Sequence, residues 1–237
     1  MSRLSININK IALLRNSRGS NIPDVVQFAK DCEAFGAQGI TVHPRPDERH
    51  VRRSDVYELK KVVTTEFNIE GYPTEDFLKM VLEVKPEQCT LVPDEPGQLT
   101  SDHGWDTIKH ASFLKEVVAR LHQAGIRVSL FIDPVNSLID GAKASGAERI
   151  EFYTGPYAHD FANDKEAAIK DFAAAAVHCD EIGLGINAGH DLNLDNLKFF
   201  KQHIPQLLEV SIGHALVRDC LYYGLENTVQ LYRRQLE

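Results

Sequence analysis

The sequence predicts a (β/α)8 barrel, the TIM-barrel architecture, as one domain over residues 1–237 with extra helices. Two observations favour this fold. Helical segments repeatedly end at glycine just before a short apolar, β-branched run, and eight such runs occur in 237 residues. Strands separated by helical segments of about 10–15 residues are typical of βαβ units. Eight repeats in this length fit a closed parallel barrel.

Glycine marks the end of several predicted helices. Gly36, Gly125, Gly146 and Gly183 each follow a helical segment and precede an apolar run. Glycine adopts the left-handed conformation that ends a helix, so the chain can turn there into a buried strand. The strands are expected at Leu4–Ile8, Gly39–Val42, Glu66–Ile69, Gln88–Leu91, Val128–Ile132, Ile150–Phe152, Leu184–Ile186 and Leu208–Ile212.

Helical patterns fill the gaps between these strands. Thr74 and Ser54 are expected as N-cap residues, and the segment from Asp164 begins with acidic residues that complement the helix dipole. The segment after the first strand is read as a loop that carries Arg15 and Arg18. The helices are expected at Pro23–Phe35, Ser54–Val63, Thr74–Leu82, Trp105–Ala124, Asn136–Ala144, Asp164–Cys179, Leu194–Gln202 and His214–Leu236.

A doubly wound open sheet is the competing fold. It normally carries a glycine-rich phosphate loop after its first strand. Residues 7–11, Asn-Ile-Asn-Lys-Ile, contain no glycine. The closed barrel is therefore favoured.

Composition excludes several classes of protein. The 26 Lys and Arg against 34 Asp and Glu give a net charge of −8 and a pI near 5.7, which argues against a nucleic-acid binder or an anionic membrane surface. No apolar run approaches the roughly 20 residues of a membrane span, and the N-terminus lacks a signal-peptide pattern. Four widely spaced cysteines are read as buried thiols. We therefore expect a cytoplasmic protein.

Polar residues stand where the predicted strands end, which is where the active site of a parallel barrel lies. Three of them, His43, Glu70 and His190, are candidates for proton transfer. Glu151 and Asp133 are read as residues low in the barrel or helix caps. The polar positions at the strand ends, in chain order, are Asn7, Asn9, Lys10, His43, Arg45, His50, Glu70, Asp133, Glu151, Thr154, Asn187, His190, Gly213 and His214, with Thr100 in the long loop of residues 93–104.

Each candidate also has a structural reading. His43 alone could be a satisfied core histidine, and Glu70 could form a salt bridge inside the barrel. The pair Gly213-His214 opens a helix, where free backbone N–H groups attract anions, yet it could be a plain loop.

Arginines favour an anionic substrate. Residues 14–19 and 43–50 carry Arg15, Arg18, Arg45 and Arg49 above the rim, and planar guanidinium groups suit phosphate or carboxylate. Together with the expected helix N-terminus, they indicate two phosphorylated substrates or one bisphosphate.

Seven sequence blocks resemble the pyridoxine 5′-phosphate synthase family. They lie at residues 7–19, 39–50, 68–70, 91–93, 128–133, 187–190 and 212–215, and they follow the order of that family. The resemblance implies a barrel, typically an octamer, that needs no metal or organic cofactor. It also implies the condensation of 3-amino-2-oxopropyl phosphate with 1-deoxy-D-xylulose 5-phosphate to pyridoxine 5′-phosphate, phosphate and water.

The resemblance also assigns roles to residues. His43 and Glu70 match proton acceptors, and His190 matches a proton donor. The positions that match contacts to the amino-ketone phosphate are Asn7, Arg18, Gly213 and His214. The positions that match contacts to the pentulose phosphate are Asn9, Lys10, Arg45, His50 and Thr100.

This chain departs from the common family pattern at two places. Asn9-Lys10 stands where the family often has Asp-His, so Lys10 is expected to meet phosphate as a point charge. Asp191 stands where glycine is common, and we expect it to bind substrate through its backbone N–H while its carboxylate points away.

Three other functions are compatible with these residues. A barrel isomerase or epimerase of phosphosugars could use Glu70 with His43 or His190. A metal-dependent hydrolase could use His43, His50, His190 and His214, although no H-x-H or H-E-x-x-H spacing supports it. A non-catalytic phosphate binder could share the same scaffold.

Overall fold

A computed structural model describes residues 2–94 and 101–237. Eight parallel strands close into a barrel in chain order, because β8 pairs with β1 as well as with β7. The predicted (β/α)8 barrel is confirmed. The strands are β1 (Arg3–Asn7), β2 (Gly39–Val42), β3 (Glu66–Gly71), β4 (Gln88–Leu91), β5 (Arg127–Ile132), β6 (Arg149–Tyr153), β7 (Gly185–Gly189) and β8 (Leu207–Ile212).

Helices pack around this barrel. Within the described residues they are α1 (Asn9–Asn16), α2 (Val25–Ala34), α3 (Arg53–Val62), α4 (Glu75–Val84), α5 (Ala111–Gln123), α6 (Asn136–Ser145), α7 (Gly155–Asp160), α8 (Lys165–Glu181), α9 (Leu197–His203), α10 (His214–Tyr223) and α11 (Leu225–Gln235). None of them is long and apolar enough to cross a membrane.

The glycine pattern was a reliable guide to the strands. Gly36, Gly125, Gly146 and Gly183 all have φ between +65° and +104°, as helix-ending glycines require. Strands β2 and β4 have the predicted bounds, and the other six differ by one to three residues at an end. Thr74 and Asp164 also cap their helices, since their side chains accept from the backbone N–H of Phe77 and Ala167.

Other helix predictions were wrong in part. The segment read as a loop after β1 is helix α1, whose N-cap residue, Ile8, offers no side-chain cap to signal it. Helix α7 was also missed. The C-terminal helix is divided into α10 and α11, because Gly224 takes φ +74° and ψ +157°, which no helix continues.

Among the helix starts that differ from the prediction, those of α3 and α5 have a clear physical reason. Helix α3 begins before Ser54, and its capping carboxylate is Asp55, which accepts from the Arg52 backbone N–H at 2.7 Å. Helix α5 begins six residues later than expected, because the Trp105 side chain is buried and its Nε1 donates to the Leu91 carbonyl oxygen at 3.0 Å.

The four cysteines are free thiols. Cys32, Cys89 and Cys179 are buried as expected, whereas Cys220 on α10 is half-buried.

Alternate strand residues face the interior of the barrel, and many of them are polar. The Ser5 and Thr41 hydroxyls are 2.7 Å apart, and the Thr90 hydroxyl donates to Asn68 Oδ1 at 3.1 Å. All four side chains are at most 1% exposed. Barrels of this class usually fill the interior with branched apolar residues. Here a hydrogen-bonded layer runs across the middle, and the apolar side chains lie between strands and helices.

Charged residues occupy the amino end of the barrel. Glu66 accepts from Arg3 at 2.9 Å and is also paired with Arg127. Glu209 is 2% exposed, and its Oε2 atom has no hydrogen-bond partner among the described residues. Burial, and then the charge of Glu66, raises the pKa of Glu209 to about 8. This carboxyl group therefore keeps its proton in the folded protein at neutral pH.

We expect Glu209→Gln to reduce the pH dependence of stability. The raised pKa means that the folded state holds a proton that the unfolded state has already released. Rising pH therefore favours the unfolded state. The wild-type free energy of unfolding should therefore fall between pH of about 5 and 8, by up to about 1.4 kcal/mol per unit.

Urea unfolding at several pH values measures this effect. The Glu209→Gln curve should lack that part of the decline, whereas the exposed control Glu116→Gln should run parallel to the wild type. Parallel curves for Glu209→Gln and the wild type would contradict the assignment.

Candidate active site

A cavity of about 590 Å³ opens at the carboxyl ends of the strands. It brings together the three predicted proton-transfer residues, His43, Glu70 and His190. The other predicted residues that line it are Asn7, Asn9, Lys10, Arg45, His50, Asp191, Gly213 and His214.

One of the residues that the resemblance assigns to substrate binding is not part of this lining, and another lies outside the described residues. Arg18 lies on an exposed turn after α1 and does not line the cavity. Thr100 lies outside the described residues.

Glu70 lies near the end of β3 and is 9% exposed. Asn7 Nδ2 donates to its Oε2 at 3.4 Å. Burial raises the pKa of Glu70 well above its usual range, and the charges of Glu151 and Asp94 add to that shift. Arg45 and the Ser211 hydroxyl oppose it. The protonated form of this side chain is thus much more favourable than that of an exposed glutamate, which suits a group that donates and recovers a proton.

Glu151 on β6 was named among the strand-end positions, but the sequence analysis gave it no catalytic role. It is 3% exposed, lines the cavity, and has a pKa that burial raises to about 7. A Cβ on Gly189 would come within 2.2 Å of Glu151 Oε1, so glycine at position 189 leaves room for this carboxyl group. The alternation of β6 held the signal: Glu151 has the same inward parity as Arg149 and Tyr153.

His43 and His50 line another side of the cavity, next to each other. Their ring centroids are 6.3 Å apart, and the His43 backbone N–H donates to Asn9 Oδ1 at 2.9 Å. Burial, followed by the charge of Arg45, lowers the pKa of His43 well below its usual value. The same two causes lower the pKa of His50 to about 4. Both imidazoles are therefore neutral at neutral pH.

The tautomer of His50 follows from one contact. Its Nδ1 accepts from the Val51 backbone N–H at 2.9 Å. Since a backbone amide can only donate, Nδ1 carries no proton in the neutral ring. The proton is on Nε2, which makes that atom the donor of the His50 side chain.

His190 follows β7 and is the third imidazole. Its ring centroid lies 5.4 Å from those of Phe131 and Tyr153. Burial lowers its pKa, although the carboxylates of Asp191 and Asp94 oppose the shift. A neutral imidazole between aromatic rings can accept or relay a proton.

Cationic groups and one helix N-terminus surround the opening. Lys10 is exposed in the first turn of α1, and Arg45 is buried against Asp94. Helix α10 begins at the cavity with Gly213 as N-cap and has no side-chain cap, so its first backbone N–H groups are available to an anion. A Cβ on Gly213 would lie 3.0 Å from the Asn7 carbonyl oxygen, which shows how closely this turn approaches β1.

Arg15 does not have the role expected for it. The expected guanidinium above the rim is buried at 1% exposure and donates to both carboxylate oxygens of Asp55, at 2.7 and 2.8 Å. It also donates to the His50 carbonyl oxygen at 3.2 Å. Arg15 therefore braces the segment that carries His50 instead of meeting a ligand.

The structure also bears on the expected place of Asp133 and on the metal-dependent alternative. Asp133 does not line the cavity, and its Oδ2 accepts from the Gly104 backbone N–H at 3.0 Å, so it holds a loop. Within residues 2–94 and 101–237, no three His, Cys, Asp or Glu side chains are grouped as metal ligands. The four histidines of the metal-dependent alternative are thus not arranged as a ligand set.

The barrel and its polar cavity define the class: a (β/α)8-barrel enzyme with acid–base groups at the carboxyl ends of its strands. A family model described as "Pyridoxal phosphate biosynthesis protein PdxJ" matches residues 4–237. The chain belongs to this family.

Relatives named pyridoxine 5′-phosphate synthase are similar over the full chain. The protein from Cytophaga hutchinsonii is 60% identical over 237 residues, covering 100% of both chains. That from Porphyromonas gingivalis is 58% identical over 236 residues, covering 100% of this chain and 99% of its own.

Solved structures show the same fold at low identity. Thiamine phosphate pyrophosphorylase from Pyrococcus furiosus has a TM-score of 0.64 at 11% identity, covering 99% of this chain and 95% of its own. Phosphoribosylanthranilate isomerase from Thermotoga maritima has a TM-score of 0.61 at 11% identity, covering 100% and 98%. At this identity the likeness concerns the fold alone.

We expect Glu151→Gln to lower the pKa of Glu70. The substitution removes a like charge that favours the protonated form of Glu70, while burial, the larger cause, remains. The new pKa should therefore lie below the wild-type value and still above the usual range of a glutamate. Carboxyl ¹³C NMR titration measures it, with the exposed Glu116→Gln as control. An unchanged Glu70 titration would show that the two groups do not interact.

Proposed function

We propose that this chain condenses 3-amino-2-oxopropyl phosphate with 1-deoxy-D-xylulose 5-phosphate to form pyridoxine 5′-phosphate, releasing phosphate and water. Family membership and relatives at 56–60% identity support the reaction. The observation that carries the assignment of residues is the meeting of Glu70, His43 and His190 in one cavity with anion-binding groups at its rim.

The amino-ketone phosphate is assigned to the start of α10. Its phosphate would accept from the backbone N–H groups after Gly213, beside His214 and Asn7. Arg18 belongs to this assignment by resemblance. Its exposed turn adjoins α1, whose Lys10 lines the same cavity.

The pentulose phosphate is assigned to the side of the cavity that carries Lys10, Arg45 and His50. Arg45 and Lys10 supply positive charge there, and His50 supplies the neutral Nε2–H donor. Asn9 and Thr100 belong to this set by resemblance. Asp191 lines the cavity on an exposed turn, and we assign its backbone N–H, not its carboxylate, to substrate.

Every step of the condensation moves a proton. The substrate amine attacks a ketone carbon, and the carbonyl oxygen must gain protons to leave as water. Glu70 is assigned as the first donor because its raised pKa favours its protonated form. His43, neutral, accepts the proton that the nitrogen loses, and the two groups then exchange roles during dehydration. His190 is assigned to the later elimination of phosphate and closure of the ring.

Glu151 is a second carboxyl group that can accept or release a proton in this scheme. Its pKa near 7 lets it accept a proton when Glu70 releases one, or share one with it. The substrates bring their own amine, so the scheme requires no nucleophilic cysteine, Schiff-base lysine, metal or organic cofactor.

The other functions are less well supported. An isomerase or epimerase would act on one phosphosugar. One of the two sets of anion-binding residues would then have no phosphate to bind. A non-catalytic binder would have no need for two buried acids whose pKa values are both raised by burial.

Assembly and location complete the proposal. We assign a homo-oligomer, an octamer by resemblance, and the exposed Leu221, Tyr222 and Tyr223 on α10 offer an apolar surface for contact between copies. A cytoplasmic location fits four free thiols.

Mixing the two phosphorylated substrates with the protein should yield pyridoxine 5′-phosphate, detected by its ultraviolet absorbance. Glu70→Gln should lower kcat by at least about 100-fold, because the amide cannot donate and recover a proton. Glu209→Gln is the matched control: this buried glutamate does not line the cavity, and its variant should remain active. A Glu70→Gln enzyme with wild-type kcat would remove Glu70 from the mechanism, and turnover of one substrate alone would favour an isomerase.

Gly213→Ala should weaken binding of the amino-ketone phosphate. The added methyl group would meet the Asn7 carbonyl oxygen at 3.0 Å and push the start of α10 out of place. We expect KM for the amino ketone to rise about tenfold, equivalent to roughly 1.4 kcal/mol. KM for the pentulose phosphate is the internal control and should change much less. Equal increases in both constants would contradict the separate placement of the two substrates.

A further inference from the structure

The turn that carries His190 has an uncommon backbone. His190 and Asp191 have φ values of +81° and +57°, so two successive residues with side chains lie in the left-handed region. Side-chain-bearing residues adopt this conformation at a cost, and it persists where the surroundings hold it. The contacts of this turn show what holds it.

Thr154, at the end of β6, holds the first two carbonyl groups of the turn. Its backbone N–H donates to the Gly189 carbonyl oxygen at 2.9 Å. Its hydroxyl lies within hydrogen-bonding distance of the carbonyl oxygens of both Gly189 and His190, and its one proton is shared between them. Thr154 is fully buried, so water does not compete for these contacts.

Asn196 holds the next carbonyl group. Its Nδ2 donates to the Asp191 carbonyl oxygen at 3.2 Å, and its Oδ1 accepts from the Asn193 backbone N–H at 2.8 Å. The Tyr157 hydroxyl donates to the Asn196 carbonyl oxygen at 2.7 Å and so fixes Asn196 in turn. Three successive carbonyl groups of the left-handed turn are therefore held by side chains.

Aromatic rings confine the imidazole of the same residue. The Phe131 and Tyr153 rings meet the His190 ring at 59° and 79°, and their own centroids are 5.5 Å apart. A Cβ on Gly155 would lie 2.4 Å from the Tyr153 hydroxyl oxygen, so glycine there leaves the Tyr153 ring its place. Thr154 thus holds the backbone of His190, and Phe131 and Tyr153 confine its ring.

We propose that Thr154 is a positioning residue for His190: its shared hydroxyl proton holds the left-handed peptide so that the imidazole faces the substrates. This inference rests on the proposed catalytic role of His190. Thr154 itself does not line the cavity. It acts through the backbone, and its loss should change how well His190 transfers protons more than how well substrates bind.

Three variants test the proposal. Thr154→Val keeps the shape of the side chain and removes the hydroxyl, and Thr154→Ser restores the hydroxyl. Thr228→Val is the matched control, because Thr228 is also fully buried and its hydroxyl also contacts a backbone carbonyl oxygen, that of Gly224, at 2.8 Å. Thr228 lies in α11 and does not line the cavity.

Thr154→Val should lower kcat by about 10- to 100-fold, because small displacements of a reacting group are costly. KM for both substrates should change less than kcat, since the Asp191 backbone N–H is the single assigned binding group in this turn and the other binding groups lie elsewhere. In NMR spectra of ¹⁵N-histidine-labelled protein, the His190 imidazole signal, assigned by its loss in His190→Asn, should broaden or double. Its pKa should rise towards the usual value as the ring becomes hydrated. Thr154→Ser and Thr228→Val should keep wild-type kcat and the single His190 signal.

A Thr154→Val enzyme whose kcat and His190 signal match the wild type would overturn the proposal, as would equal losses in Thr154→Val and Thr228→Val. If Thr154→Val does not fold, Thr154→Ala is judged by the same two measurements. The His190→Asn variant distinguishes failure of the proposed role of His190 from failure of its positioning by Thr154. A fully active His190→Asn enzyme would overturn the proposed role of His190 together with its positioning, whereas an inactive one beside a wild-type-like Thr154→Val would overturn the positioning alone.

Discussion

Burial of carboxyl groups inside the barrel is the constraint on which this site depends. An ionised carboxylate that loses its water must be compensated by nearby charge or must keep its proton. Burial is the largest cause of the raised pKa of Glu70, Glu151 and Glu209, and it favours the protonated form of each. The same strands that close the barrel therefore create groups that exchange protons near neutral pH. Acid–base capacity at this site is a consequence of where the strands place glutamate.

The cations at the rim have a second effect on the titrating groups. Arg45 lowers the pKa of both His43 and His50 and also opposes the raised pKa of Glu70. The guanidinium that we assign to the pentulose phosphate thus also helps to keep the imidazoles neutral in the unliganded site. On this proposal, a phosphate dianion bound beside Arg45 would cancel part of that effect and make the imidazoles better bases. The proposal therefore couples substrate binding to proton transfer through charge at the rim.

Much of this arrangement could be read from the sequence, because strand alternation and helix-ending glycine are local signals. Once eight strands were recognised, their carboxyl ends placed His43, Glu70 and His190 together. Glu151 was given no catalytic role because its inward parity on β6 has meaning only after Glu70 is known to lie opposite. Arg15 was misplaced because its partner, Asp55, is 40 residues away, and helix α1 carries no side-chain cap that a local reading could find. What escaped the sequence reading was set by contacts between distant elements.

The central claim is that the unliganded site holds at least one protonated carboxyl group at neutral pH. Isotope-edited infrared spectroscopy on glutamate-labelled protein tests it most directly, in a Glu209→Gln background so that the deeper carboxyl group does not contribute. The account predicts a carbonyl band of a protonated acid that disappears when both Glu70 and Glu151 are replaced by glutamine. A spectrum with carboxylate bands alone, unchanged by those replacements apart from lost intensity, would contradict it.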